Sequence, residues 1–194
     1  GYDRKITPFL DSIISLDQTT KVKHFFSNAS RSFIGISNIL SSLYSLSVNN
    51  FFIHDLLKMQ GYQINFILGG DFTHFYGLRR SFGKNIDLYY DGYTASRYTD
   101  GASMNDDKFV ILNYLDSIKE FSGIPSFFYL HFMTAHEVST LDPKFKIYEP
   151  MKSKSFSFKI DPTILKNSYD NRITQLDAYL KHTISIFEQK GYLE

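Results

Sequence analysis

Seven serines fall within FFSNASRSFIGISNILSSLYS, residues 25–45: Ser27, Ser30, Ser32, Ser37, Ser41, Ser42 and Ser45, with Arg31 near the front. A serine hydroxyl is a poor nucleophile at neutral pH and needs a base or a metal ion to become an alkoxide. At the first turn of a helix it has another use. Exposed N–H groups and the positive end of the helix dipole stabilise a nearby anion such as phosphate or sulfate. From Ser32 onward Ile36, Ile39, Leu40 and Leu43 recur at helical spacing, which places a helix start near Ser30 to Ser32. Spacing leaves two readings open, a reactive or anion-binding serine and a plain helix cap.

Other residues have chemical potential. His136 closes the apolar run SFFYLHFMTAH, read as a strand, and could donate to an anion or act as an acid. His131 lies five residues earlier on the same expected strand, so the period of two points the rings to opposite faces and argues against a shared ion. Asp71 follows paired glycines in ILGGD, as a ligand, a binding residue or an ordinary turn aspartate. Asp106 and Asp107 read as helix caps. No P-loop, dinucleotide fingerprint or HExxH motif is present. Cysteine is absent, which excludes disulfides, thiolate metal sites and a cysteine nucleophile.

These residues need elements to position them. Helices are expected after Pro8, from about Ser32, over NNFFIHDLLKMQG up to Gly61, over NDDKFVILNYLDSIKEF, and over ILKNSYDNRITQLDAYLKHTISIFEQKG. The fourth carries Phe109, Ile111, Leu112, Leu115 and Ile118; the last carries Ile173, Leu176, Leu180, Ile184 and Phe187. YQINFILGG reads as a buried strand, 71–101 as loops with a short helix, and about 137–162 as an insertion. Strands alternating with helices predict an α/β fold, a largely parallel sheet flanked by helices on both faces within one domain over 1–194. Functional residues then gather at the carboxyl ends of strands, where LGGD and MTAH fall.

The 194 residues are 43% hydrophobic and 17% aromatic, ample for a core, and the net charge is +1. Near-neutrality removes the electrostatic argument for a nucleic-acid binder. No apolar run approaches the roughly eighteen residues of a membrane span.

Five segments, in order, resemble the sulfatase-like branch of the alkaline phosphatase superfamily, which includes lipoteichoic acid synthases and phosphoethanolamine transferases: GYDRKITPFLDSI, FFSNAS, LLKMQGYQINFILGGD, SFFYLHFMTAHEVS and SYDNRITQLDAYLKHTISIFEQKG. The resemblance implies an alkaline phosphatase-like sheet, here incomplete, and a metal-dependent phosphotransferase or hydrolase acting on phosphodiester or sulfate esters through a covalent serine intermediate. Ser27-Asn-Ala-Ser-Arg31 superficially fits the S-x-[PA]-x-R signature of formylglycine sulfatases, whereas counting back from Ser42-Leu-Tyr44 and Ile39-Leu40 selects Ser32.

The resemblance also assigns roles. Ser32 would be the nucleophile and a ligand of a divalent metal (Zn, Mn or Ca), and His136 the contact to the substrate anion. Asp71, Tyr76 and Arg79 would lie in the substrate pocket. It implies that the remaining metal ligands lie outside this chain, so that metal binding by these residues alone is doubtful. A phosphorylated or sulfated glycan or lipid headgroup is the expected partner, with no nucleic acid. Membrane contact would come only through segments outside this chain, the domain being periplasmic or extracellular at a bacterial inner membrane. Absence of cysteine disfavours the phosphoethanolamine transferases. HEVS lacks the family's proline after the histidine. The alternative is a truncated or degenerate, non-catalytic member that binds an anionic glycan or lipid headgroup.

Overall fold

The computed structural model describes residues 2–17, 19–22, 24, 26, 29–41, 51–97, 103–151 and 161–193 and, at residues 76 and 81, the backbone alone. Its centre is strand β1, Gln63–Leu68, buried from Ile64 to Leu68. The unbroken apolar stretch Phe66–Ile67–Leu68 suits a strand covered on both faces, and Asn65 is buried beside it. Parallel to it lie β2, Leu88–Asp91, and β3, Ser126–His131, in the order β2-β1-β3. Leu68 is level with Asp91 on one side and His131 on the other, so the three carboxyl ends finish together.

The helices are α1 (Pro8–Ile14), α2 (Ser32–Ser41), α3 (Ile53–Met59), α4 (Gly92–Ser96), α5 (Asn113–Ser117) and α6 (Pro162–Gln189). A 3-10 helix spans Phe75–Phe82, and a π turn, Lys108–Leu112, runs straight into α5. Alternation along β1 sends Ile64, Phe66 and Leu68 into a core with Ile36, Leu40, Phe52, Phe72, Leu78 and Phe82. Ile67 enters a second core with Val110, Ile111, Leu115, Ile186 and Phe187. Helices thus flank both sheet faces, the expected α/β arrangement. Among the described residues no helix is long and apolar enough to cross a membrane.

Four expectations change. The 71–101 segment holds strand β2 as well as short helices. LYYD is four residues long and half-buried until Asp91, too short for a periodic signal; pairing with β1 makes it a strand. The NDDKF helix begins as a wide π turn and ends at Ser117. Val110, Ile111 and Leu112 are all buried there, which a single narrow stripe does not produce. β3 stops at His131, five residues before His136.

In α6, Phe187 is buried as expected, but Ile173, Leu176, Leu180 and Ile184 are only half-buried. Asn167, Asp170, Asn171, Gln175 and Asp177 are the more deeply enclosed, because Asp170 holds the Arg4 guanidinium and the others serve backbone groups of neighbouring segments. Asn171 accepts from the Ile147 and Tyr148 N–H groups at 3.0 and 2.9 Å and donates to the Tyr148 carbonyl at 3.0 Å.

Candidate active site at the carboxyl edge of the sheet

Ser32 is the first residue of α2 and is exposed. Ile36 and Leu40 anchor that helix in the first core, where it packs on the 3-10 helix. The sequence places the helix start correctly, since the apolar residues four and eight positions after Ser32 have a core to enter. Ser30 and Arg31 are exposed beside it, whereas Ser27 lies outside the described residues. Further along, Ser37 is buried and the Ser41 hydroxyl donates to its carbonyl at 2.8 Å.

β1 ends in Gly69, Gly70 and Asp71. Gly70 has φ +90°, a conformation side chains rarely adopt. Asp71 follows, half-buried, and accepts from the His74 N–H at 2.8 Å, with His74 Nδ1 at 3.2 Å from its other oxygen. This turn is held from below by Asp91, fully buried at the end of β2. Asp91 accepts from the Phe72 and Thr73 N–H groups and from the Thr73 hydroxyl at 2.7–3.2 Å, while its other oxygen caps α4 through Thr94.

Arg79 is committed internally. Its guanidinium donates to the Gly83 carbonyl at 3.1 Å and stacks over the Tyr89 ring at 4.4 Å. The Tyr76 side chain lies outside the described residues.

Beyond β3 the chain turns through Met133 to Ser139. The His136 N–H donates to the Met133 carbonyl at 2.7 Å, and Ser139 N–H donates back to His136 at 3.0 Å. His136 is exposed, with Nδ1 placed to accept from Val138 N–H at 3.5 Å; that tautomer leaves Nε2–H free to donate outward. His131 sits edge-on to Phe72 at 4.8 Å. Burial, helped by the charge of His136, pushes its imidazole down to about 4. The two histidines therefore do not lie on opposite faces of one strand. The strand ends between them, and the turn returns His136 to within electrostatic reach of His131.

α6 grips the outgoing chain. Arg172 donates to the Ser139 and Glu137 carbonyls at 2.9 and 3.1 Å, and Gln175 bonds Thr140 and Asp142 at 2.9 and 2.8 Å. The acidic pair also divides. Asp106 caps the π turn, accepting from Lys108 N–H at 3.0 Å, whereas Asp107 is buried and accepts from the Thr134 N–H and hydroxyl at 2.6 and 2.5 Å. Burial pushes the Asp107 carboxyl up to about 6. Asp91, Asp107, Thr134 and Arg172 were not singled out as supports of this edge from the sequence. Their partners are distant in the chain and follow no spacing rule.

The chain leaves β1 toward one sheet face and leaves β3 toward α6 on the other. The carboxyl ends of parallel strands are the usual ligand position in open α/β sheets. Asp71 and the His136 turn follow two of those ends, β1 and β3. Among the described residues no hydrogen bond or ion pair joins Ser32, Asp71, Arg79 and His136 to one another. Nor do three or more His, Cys, Asp or Glu side chains gather there as a metal would need.

A three-stranded parallel sheet flanked by helices on both faces defines an α/β domain. The chain belongs to the Sulfatase family, whose family model matches residues 1–194. This places it in the alkaline phosphatase-like sulfatase superfamily. No curated protein and no solved structure matches it.

Proposed function

We propose that this domain is a sulfatase-like hydrolase or transferase that cleaves phosphodiester or sulfate esters through Ser32. The observation that carries the reading is the exposed placement of Ser32 at the start of a ten-residue helix in a Sulfatase-family chain. Ser32 Oγ attacks phosphorus or sulfur, the bond to the ester oxygen breaks, and the proton lost by the serine is matched by one gained by the departing alcohol. Water or an acceptor alcohol then discharges the serine ester. The α2 N–H groups offset the anion's charge. His136 donates from Nε2 to a substrate oxygen, and Asp71 shapes the pocket with Tyr76. Arg79 contributes through the 3-10 helix that its guanidinium ties down.

A divalent metal (Zn, Mn or Ca) belongs to this proposal through the family. The described residues hold no three-ligand group that fits one. The substrate class is a phosphorylated or sulfated glycan or lipid headgroup, and the domain acts on the extracytoplasmic side of a bacterial membrane, as a phosphoglycerol transferase would.

The test is turnover of a chromogenic sulfate ester and a phosphodiester by the full protein with Zn²⁺ or Mn²⁺. Ser32→Ala should lower kcat by about 10³-fold or more. Wild-type turnover in Ser32→Ala would remove Ser32 as nucleophile. Mass spectrometry of the Ser27 peptide from native protein should show unmodified serine; formylglycine there would transfer the role to Ser27. Binding of a sulfated glycan without turnover in any metal would favour the non-catalytic alternative.

A further inference from the structure

Asp107 joins the chain just beyond β1 to the chain just beyond β3. Its side chain is only 1% exposed. Oδ2 receives both donors of Thr134, the buried residue two positions before His136. Oδ1 has no hydrogen-bond partner and lies against Gly69, where an added Cβ would overlap it. Gly69 in turn donates to the His131 carbonyl at 2.8 Å, and Gly70 donates to the Met104 carbonyl at 3.0 Å. The end of β1 is thus built of glycines so that the 104–107 segment can cross it. A carboxylate oxygen without a donor is an expensive way to do this, because a buried polar atom loses its water without replacement. An asparagine would accept the same two Thr134 bonds without a buried charge.

We propose that Asp107 is a positioning residue for His136: by tying Thr134 to the glycine end of β1, its carboxyl sets where the His136 turn stands relative to Asp71. This rests on the reading of His136 as a substrate contact. The groups around Asp107 define its response. Asp106 on its own segment opposes its ionisation, and across from it Tyr179 of α6 is affected by its charge. Lys108 lines the surface cleft beside Tyr179. Ionisation strengthens the pull of Oδ2 on the Thr134 donors and places charge on the dry Oδ1 beside Gly69; protonation relaxes both. Since burial holds the carboxyl up to about 6, this change falls at mildly acidic pH. The pH profile of substrate contact therefore contains an ionisation belonging to a group that touches no substrate.

The experiment is heteronuclear NMR of the full chain from about pH 4 to about pH 8, following the Thr134 amide and the His136 ring. The wild type should show a Thr134 inflection near the Asp107 ionisation, echoed at the same pH in the His136 ring signals. Asp107→Asn should flatten Thr134 and remove that echo, while Thr134→Ser should keep the wild-type profile. Sulfate titrated into the same samples should shift the wild-type ring and bind about fivefold or more weakly to Asp107→Asn.

A Thr134 amide indifferent to pH, the same inflection in Asp107→Asn, or unchanged sulfate affinity would overturn the inference. A wild-type ring blind to sulfate, with Thr134 still titrating, would remove the substrate role of His136 and the inference with it, leaving Ser32 chemistry to its own test. If Asp107→Asn does not fold, Thr134→Val serves. Loss of one donor to Oδ2 must move the inflection to higher pH, and an unmoved inflection would be fatal.

Discussion

The carboxylate of Asp177, in the middle of α6, caps the first turn of α1. It accepts from the Phe9 N–H at 2.8 Å and the Leu10 N–H at 2.9 Å. Thr7, at the N-cap position, makes no side-chain bond of its own. A cap normally supplied by a neighbouring residue comes here from a residue 167 positions away. Asp177→Ala should therefore destabilise the domain by about 1–2 kcal/mol, seen as a lower urea midpoint at unchanged slope. Asp177→Asn should lose less, since one amide oxygen still accepts. Equal stability of Asp177→Ala and wild type would show that α1 does not need this cap.

Arg4 and Asp170 form the second bond between the chain's two ends. The guanidinium lies 2.6 Å from Asp170 Oδ2, donates to Asn167 at 2.8 Å and stacks over Tyr148, while the Tyr2 hydroxyl donates to Asp170 Oδ1. Asp170 is fully buried. Removing its cation leaves an uncompensated charge, so Arg4→Ala should cost about 3 kcal/mol or more. The double variant Arg4→Ala/Asp170→Asn should be more stable than Arg4→Ala alone. Additive losses in that double-mutant cycle would mean the pair is not coupled.

His131 makes the fold acid-sensitive. Its folded imidazole is pushed by burial to about 4, below the ordinary 6.5. A depressed folded value means that the neutral ring's stability is complete above pH ~6.5 and is lost as pH falls toward ~4. The full shift corresponds to at most about 3 kcal/mol. His54, buried against Phe52 and Phe66 with its Nε2 bonded to the Phe82 carbonyl at 2.8 Å, is lowered in the same direction, so the two add. Thermal melts across this window should fall more steeply for wild type than for His131→Phe. Parallel curves would assign the acid sensitivity elsewhere.

Arg172 should matter to the turn after β3 more than to global stability. It is half-buried, burial lowers its basicity, and both bonds go to carbonyls of residues 137 and 139. Arg172→Met keeps the stem but releases those carbonyls. Limited proteolysis should then cut within 137–141 faster than in wild type, and KM should rise more than kcat falls. An unchanged cleavage rate there would show that Gln175 alone holds the segment.

Much of this molecule is written in local sequence. Pro8, the Ile36 and Leu40 spacing behind Ser32, the INFIL run and Gly61 each act on their own neighbourhood, so α1, the start of α2, β1 and the end of α3 are legible without the fold. The family was legible as well, in the order of five segments along the chain. What tertiary structure alone decided is which polar residues go inside. Asp91, Asp107, Asp170 and Asp177 look like ordinary turn, cap and helix-surface residues. They are buried because each meets backbone N–H groups, a threonine or an arginine brought from elsewhere in the chain. The position of His136 is of the same kind. A period of two would have turned it away from His131, but β3 ends once Leu68 has no further partner to offer. Asp107 and Arg172, from two different elements, then hold the turn that follows. A buried carboxylate needs donors, and donors from distant segments leave no periodic trace in the sequence.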